Sequence, residues 1–418
     1  MLARLVAVSL MLAPLAPGAS AVAQDWPQWR GPHCDNRATA GATAPIEWSE
    51  DAGLAWSTPL PGRGHSSPTL VGERIYLTTA DADAQTQSLL IVDRRTGALV
   101  RTVVVHEGGL PARIHPNNSH ASPTVASDGQ HVYALFCNQN AAMVTAFDLD
   151  GEQLWQQRAG AFDPQRFQFG FGSSPVIVGD VIVMATEYDG PESGLYALDL
   201  ATGAQRWHAP RPNSLSYSTP RPLSDRGRSL LLLSGNNLLA AYNAADGQVA
   251  WSVPGSTMAT CGTMVADAQS GLAFASGGFP GSFTVALRLD GAHDVVWQNN
   301  VRCYEQSLLL AGDFLYATAD NGVAYCWRAA DGEEMWKRRL GGKYSSSPLL
   351  VGDRIYATNE RGTTFVLAAT PEECRVLAEN RLGDSAFATP APADGRLYHR
   401  YGKTVDGRRQ EYLVAIGE

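Results

Sequence analysis

The stretch Gly194-Leu195-Tyr196-Ala197-Leu198-Asp199-Leu200-Ala201-Thr202-Gly203-Ala204-Gln205-Arg206-Trp207 decides the fold. It begins as a short apolar strand, turns between Asp199 and Gly203, and returns towards a tryptophan. Glycine in the turn supplies the positive φ that a tight hairpin needs. The same turn and tryptophan recur at Asp150-Gly151 with Trp155, Asp246-Gly247 with Trp251, Asp290-Gly291 with Trp297 and Asp331-Gly332 with Trp336. Two copies are worn. Asp93-Arg94-Arg95-Thr96-Gly97 lacks the tryptophan, and Thr370-Pro371-Glu372-Glu373 lacks the glycine as well.

Each copy is preceded by a Ser/Thr-Pro pair and an apolar run, as in Ser66-Ser67-Pro68-Thr69-Leu70-Val71-Gly72-Glu73-Arg74-Ile75-Tyr76 and Ser346-Ser347-Pro348-Leu349-Leu350-Val351-Gly352-Asp353-Arg354-Ile355-Tyr356. The prolines stand at Pro68, Pro123, Pro175, Pro220, Pro348 and Pro390, with degenerate copies centred on Gly262 and Ser307, so an anchor recurs every 41 to 55 residues. Eight anchors imply eight units. Apolar runs split by Gly-Asp or Asp-Gly read as about four antiparallel strands per unit. One such sheet cannot bury both of its faces, but radial stacking does, with the tryptophans filling the gaps between neighbours.

The last unit stops at Tyr412-Leu413-Val414-Ala415-Ile416 without a tryptophan strand, and Asp51-Ala52-Gly53-Leu54-Ala55-Trp56 offers the missing piece. An amino-terminal strand that completes the last blade closes the ring and removes both open sheet edges. The expected fold is therefore all-β, an eight-bladed β-propeller of four-stranded antiparallel blades spanning residues 48–418. Residues 24–47 are expected to form a capping segment, their aromatics covering apolar surface at the propeller rim.

Composition agrees with a large globular chain: 44% hydrophobic residues suffice for a core. A net charge of −9 and a pI near 5.5 argue against nucleic acid as partner. Residues 1–23 read as a secretory signal peptide, with Arg4, an apolar stretch from Leu5, and Ala21-Val22-Ala23 as a small-residue cleavage site. No cysteine follows for lipid attachment, and no later run is long enough to span a bilayer. A periplasmic or extracellular monomer without a membrane anchor is expected. Export permits disulfides. Cys261 and Cys303 lie about one repeat apart, and the pair reads either as a bridge or as two small buried residues.

The pattern Tyr196-Ala197-Leu198-Asp199, Thr202-Gly203, Trp207 resembles the PQQ-type propeller repeat, named after pyrroloquinoline quinone. Quinoprotein dehydrogenases and BamB-like outer-membrane assembly factors share it. The opening Asp25-Trp26-Pro27-Gln28-Trp29-Arg30-Gly31-Pro32 is similar to that of many secreted members. The resemblance implies two functions. The first is a non-enzymatic, BamB-like scaffold with no cofactor, binding an unidentified protein or small ligand of the cell envelope. The alternative is a dehydrogenase that oxidises an alcohol or sugar with the quinone and calcium, for which Glu305, Asn118 and Asp384 are the nominal candidates. No adjacent Cys-Cys pair and no CxxCH motif is present, which departs from many alcohol-oxidising members.

Residues just ahead of the anchors should ring one mouth of the central channel, where propellers and barrels commonly bind ligands. The ring reads Arg63 and His65, Asn118 and His120, Phe169 and Phe171, Tyr217 and Cys261, Tyr304 and Glu305, Lys343 and Tyr344, then Asp384 and Phe387. Of these, Arg63, His65, Asn118, His120, Phe171, Tyr217, Tyr304, Glu305, Lys343 and Tyr344 are the candidate ligand-binding residues. None is assigned a catalytic or metal-binding role. The loop 112–120 occupies one of the two longest repeat spacings and is the preferred contact surface. HExxH, GxSxG and P-loop motifs are missing.

Overall fold

The computed structural model describes residues 24–417; the expected signal peptide lies outside the described residues. Strand β1 (Leu54–Leu60) precedes seven blades that are continuous in sequence: β2–β5 (69–107), β6–β9 (126–161), β10–β13 (176–210), β14–β17 (221–254), β18–β21 (265–299), β22–β25 (309–339) and β26–β29 (349–381). The eighth blade holds β30 (Ala391–Ala393), β31 (Arg396–Val405) and β32 (Arg408–Ile416), and β1 pairs with β32 as its outermost strand. The eight-bladed propeller is thus closed by its amino-terminal strand. Among the described residues there is no helix long and apolar enough to cross a membrane.

The turn and the tryptophan recur together because they meet across blades. In four of these joints the indole on the outer strand of one blade lies over the turn glycine of the next with its N–H bonded to a turn carbonyl, whereas Trp251 stacks on His293 at 4.6 Å and nothing lies within 4 Å of Gly291. Trp155 donates to Leu200 O at 3.0 Å, Trp207 to Ala244 O at 3.1 Å and Trp297 to Ala329 O at 2.8 Å. Trp56 of β1 does the same for the first blade, donating to Arg94 O at 3.2 Å beside Gly97. Opposite each indole on the neighbouring strand stands a small residue, Ala146, Ala197, Ala241, Ala286 or Cys326, which leaves room for the ring. Where the first blade lacks a tryptophan, Arg101 takes its place. Its stem lies near Gly151 and its guanidinium donates to Asp150 O at 2.9 Å.

A second joint runs round the axis. Ahead of seven of the eight innermost strands a Ser or Thr gives its backbone N–H to the hydroxyl of the equivalent residue in the next blade. The bonds run from Ser67 to Thr124, Thr124 to Ser174 and Ser174 to Thr219. They continue from Thr263 to Ser307, Ser307 to Ser347, Ser347 to Thr389 and Thr389 to Ser67. This belt explains the Ser/Thr of the anchors: the hydroxyl satisfies a buried N–H that no strand partner reaches. It also moves three anchors. In the second blade Thr124-Val125, not Ser122-Pro123, holds the anchor position, and the degenerate copies centre on Thr263-Met264 and Ser307-Leu308.

The opening segment lies in the axis rather than over the rim. Trp26 pairs with Leu70, Pro27 O accepts from Ser127 N, Gln28 Oε1 from Ile177 N, and Asn36 bonds to Pro348 and Leu350, so the segment crosses the exit ends of several innermost strands. Arg30 is fully buried and donates to Cys34 O, Asp35 O and Leu308 O, and burial lowers its pKa to about 10. The Trp29 indole N–H reaches Thr263 Oγ1 at 2.9 Å. That hydroxyl is the one belt acceptor not used by the preceding blade.

Candidate functional site

Two residues before each belt hydroxyl the chain is extended, and alternate side chains point to opposite sides. One residue from every blade therefore faces the axis: His65, Ser122, Gly172, Tyr217, Cys261, Glu305, Ser345 and Phe387. Together they wall a cavity of about 360 Å³ whose depth reaches the belt at Ser174 and Thr219 and whose floor is Trp29.

Loops add the upper wall. Phe167 and Phe169 come from the connection after the second blade, His115, Asn117 and Asn118 from loop 112–120, and Phe279 from the turn after β19 (Leu272–Gly277). The rings touch one another: Phe167 lies 5.5 Å from Phe169 and 5.8 Å from Phe279, and His115 meets Phe169 edge-on at 5.6 Å. Below them His65 stacks on Phe387 at 4.4 Å. Asn118 pins the two loops together. Its Nδ2 donates to Phe169 O at 2.7 Å while its Oδ1 accepts from Ser122 Oγ at 2.6 Å and from Ser119 N at 2.8 Å.

Burial sets the charge state of the lining. Desolvation, with Arg63, Arg400 and Arg409 nearby, holds His65 well below its usual pKa, so its ring is neutral. Desolvation raises the phenols of Tyr217 and Tyr304 and the thiol of Cys261, the last also through Glu305, so all three keep their protons. Desolvation likewise raises Glu305, with Glu360 and Asp320 adding to the effect and Ser345 and Lys343 opposing it.

Of the candidates read from sequence, the cavity gathers His65, Asn118, Tyr217, Tyr304 and Glu305. Arg63 stays on the rim, donating to Pro116 O at 2.9 Å, and Lys343 is an exposed neighbour of Glu305. His120 is half-buried behind the lining. Phe171 and Tyr344 are buried on the other side of the chain, Phe171 against Phe162 at 4.8 Å, because they stand one residue from the inward positions. Tyr304 shares their parity and still reaches the cavity. Gly278 makes that possible, since a Cβ there would lie 2.1 Å from the Tyr304 ring. All six cysteines are free, so Cys261 and Cys303 form no bridge. Trp29, Phe167, Phe279 and Ser345 were not legible as lining. Trp29 and Phe279 lie far from any anchor, and no repeat marks them.

The family whose model matches this chain is described as Outer membrane protein assembly factor BamB, at residues 86–267, 140–307 and 284–373, overlapping as a repeat does. A curated relative, the outer membrane protein assembly factor BamB of Moranella endobia (strain PCIT), is 25% identical over 239 residues, 53% of this chain; the match spans 58% of that relative's length. Among solved structures, BamB from Moraxella catarrhalis superposes with a TM-score of 0.59 at 13% identity, covering 86% of this chain and 96% of that one. A europium-containing methanol dehydrogenase gives 0.66 at 11% identity, covering 94% and 98%. At such identities the solved structures speak for the fold alone. Repeat, ring closure and family match agree: the chain belongs to the PQQ-type repeat family described as outer membrane protein assembly factor BamB.

Proposed function

We propose that this protein is a non-enzymatic binding scaffold of the cell envelope that receives its ligand in the axial cavity. The observation that carries the reading is the convergence of one residue from each of the eight blades, seven side chains and Gly172, on a single well with a tryptophan floor. Such a concave, mainly aromatic site with a few placed polar groups is built to bind. Family membership and the BamB relative support an envelope setting.

The donor set does not fit the calcium ion that the enzyme reading requires. Calcium takes six to eight oxygen ligands, several of them carboxylates. The lining offers one carboxylate, Glu305. The amide oxygen of Asn118 is committed to Ser122 and Ser119, and Asp384 is turned to Thr404 N and Ser385 Oγ. Among the described residues no three His, Cys, Asp or Glu side chains stand together to hold a metal.

The test is a titration of the purified chain with pyrroloquinoline quinone and calcium, followed by tryptophan fluorescence, because Trp29 lies where a ligand would quench it. The expected result is no saturable quenching and no dye reduction with alcohols or sugars. Saturable quenching at micromolar quinone, lost in Glu305→Ala, would replace the scaffold reading with the enzyme.

A further inference from the structure

The lining of the axial cavity carries one acidic group and neither lysine nor arginine. Glu305 is reached by water through the mouth and forms no ion pair within 4 Å with any described basic residue. The nearby cations are otherwise engaged or held off. Arg302 is paired with Asp320 at 2.7 Å, Arg63 is directed to Pro116 O, and Lys343 extends into solvent. On the far wall Arg400 and Arg409 are both paired with Glu411, behind His65. Glu360 and Asp320 lie on the same side as Glu305 and add to the negative potential there.

Around this carboxylate the cavity presents ring faces and edges from Phe167, Phe279, Tyr217 and the Trp29 floor, while the Tyr304 ring already carries the Arg302 guanidinium 5.6 Å from its centroid. Aromatic faces attract cations through their quadrupole, most strongly where water is displaced. A carboxylate among such rings gains most from a charged donor, since charge-assisted hydrogen bonds are the strong ones. The volume, about 360 Å³, lies at the lower end of small-molecule sites.

We propose that the cavity binds a small organic monocation, an ammonium or guanidinium on a flat or aliphatic body, with its head at Glu305 and its body against Phe167, Phe279 and Trp29. The inference rests on the reading that the axial cavity is the binding site. An anion of the same shape meets Glu305 with like charge, and a neutral ligand brings the carboxylate no counter-charge.

The test compares three size-matched probes by calorimetry and tryptophan fluorescence: phenethylamine, 2-phenylethanol and phenylacetate. Each is titrated into the purified chain and into Glu305→Gln, which keeps the side-chain shape and removes the charge. The expected result is an affinity for the amine at least tenfold above the alcohol, with the acid weakest. In Glu305→Gln the preference for the amine over the alcohol should fall below about threefold. Alcohol and amine binding equally, or an amine preference that survives Glu305→Gln, overturns the inference and leaves the cavity as a binding site. No saturable binding of any probe overturns both readings.

Discussion

Thr389 donates its backbone N–H to the hydroxyl of Ser67 at 3.1 Å, joining the eighth blade to the first across 322 residues of sequence. This bond and the pairing of β1 with β32 close the ring in two layers, one at the axis and one at the perimeter. The perimeter joint holds strands; the axial joint holds the positions from which the cavity is lined.

Ser67→Ala removes an acceptor from a buried N–H. Leaving that donor unbonded costs about 1–3 kcal/mol, so the urea midpoint should fall, whereas Ser67→Thr, which keeps the hydroxyl, should stay close to the parent. Equal midpoints for all three proteins would show that the belt carries no stability.

The contact between turn glycine and indole can be separated from backbone strain within one blade. Gly227 and Gly247 both have positive φ, +76° and +72°, but an added Cβ meets nothing at Gly227 and lies 2.5 Å from the Trp207 ring at Gly247. Each alanine carries about 1–2 kcal/mol of left-handed strain. Gly247→Ala should lose clearly more, towards the loss in Trp207→Ala, about 3–5 kcal/mol for a buried tryptophan. Matching thermal shifts for the two glycine variants would refute the packing argument.

His399 is buried between neighbouring strands, and desolvation lowers its pKa from 6.5 to about 4. Below pH 6.5 the unfolded chain takes up a proton that the folded chain refuses until about pH 4. Stability is therefore full above 6.5 and falls between 6.5 and 4, by up to about 3 kcal/mol for this group. His399→Leu, opposite Val414 on β32, should flatten that part of the profile. Denaturant midpoints measured from pH 7.5 to 4 decide it; an unchanged slope would assign the acid sensitivity elsewhere.

Cys261 lines the cavity and is half-exposed, while the other five cysteines are buried. Only the thiolate reacts, and the Cys261 thiol is held well above its usual pKa by desolvation and by Glu305. Iodoacetamide should label Cys261 first, slowly at pH 7 and about tenfold faster per pH unit up to pH 9. Glu305→Gln should speed the reaction at fixed pH. Peptide mass spectrometry reads the site, and labelling elsewhere in the folded chain would contradict the assignment.

The fold was legible because its physics repeats. A turn glycine beneath an indole recurs at Gly97, Gly203, Gly247 and Gly332, and a missing outer strand at one end of the chain pointed to Leu54–Trp56 at the other. Register was less legible. Ser122-Pro123 has the composition of an anchor, yet Thr124 holds the hydroxyl position, and only the hydrogen-bond belt distinguishes them. The site was half legible for a related reason. Distance from an anchor located His65, Tyr217 and Glu305, but a one-residue change of parity turned Phe171 and Tyr344 away from the axis. Phe279 and Trp29 arrive from distant segments, and nothing periodic marks them.

With the Trp29 indole bonded to Thr263 and its neighbours bonded to several innermost strands, the opening segment crosses the axis beneath the cavity. A ligand in the cavity lies between that segment and the rings of Phe167, Phe169 and Phe279. Under the proposed scaffold role, ligand exchange is set at this aromatic lip.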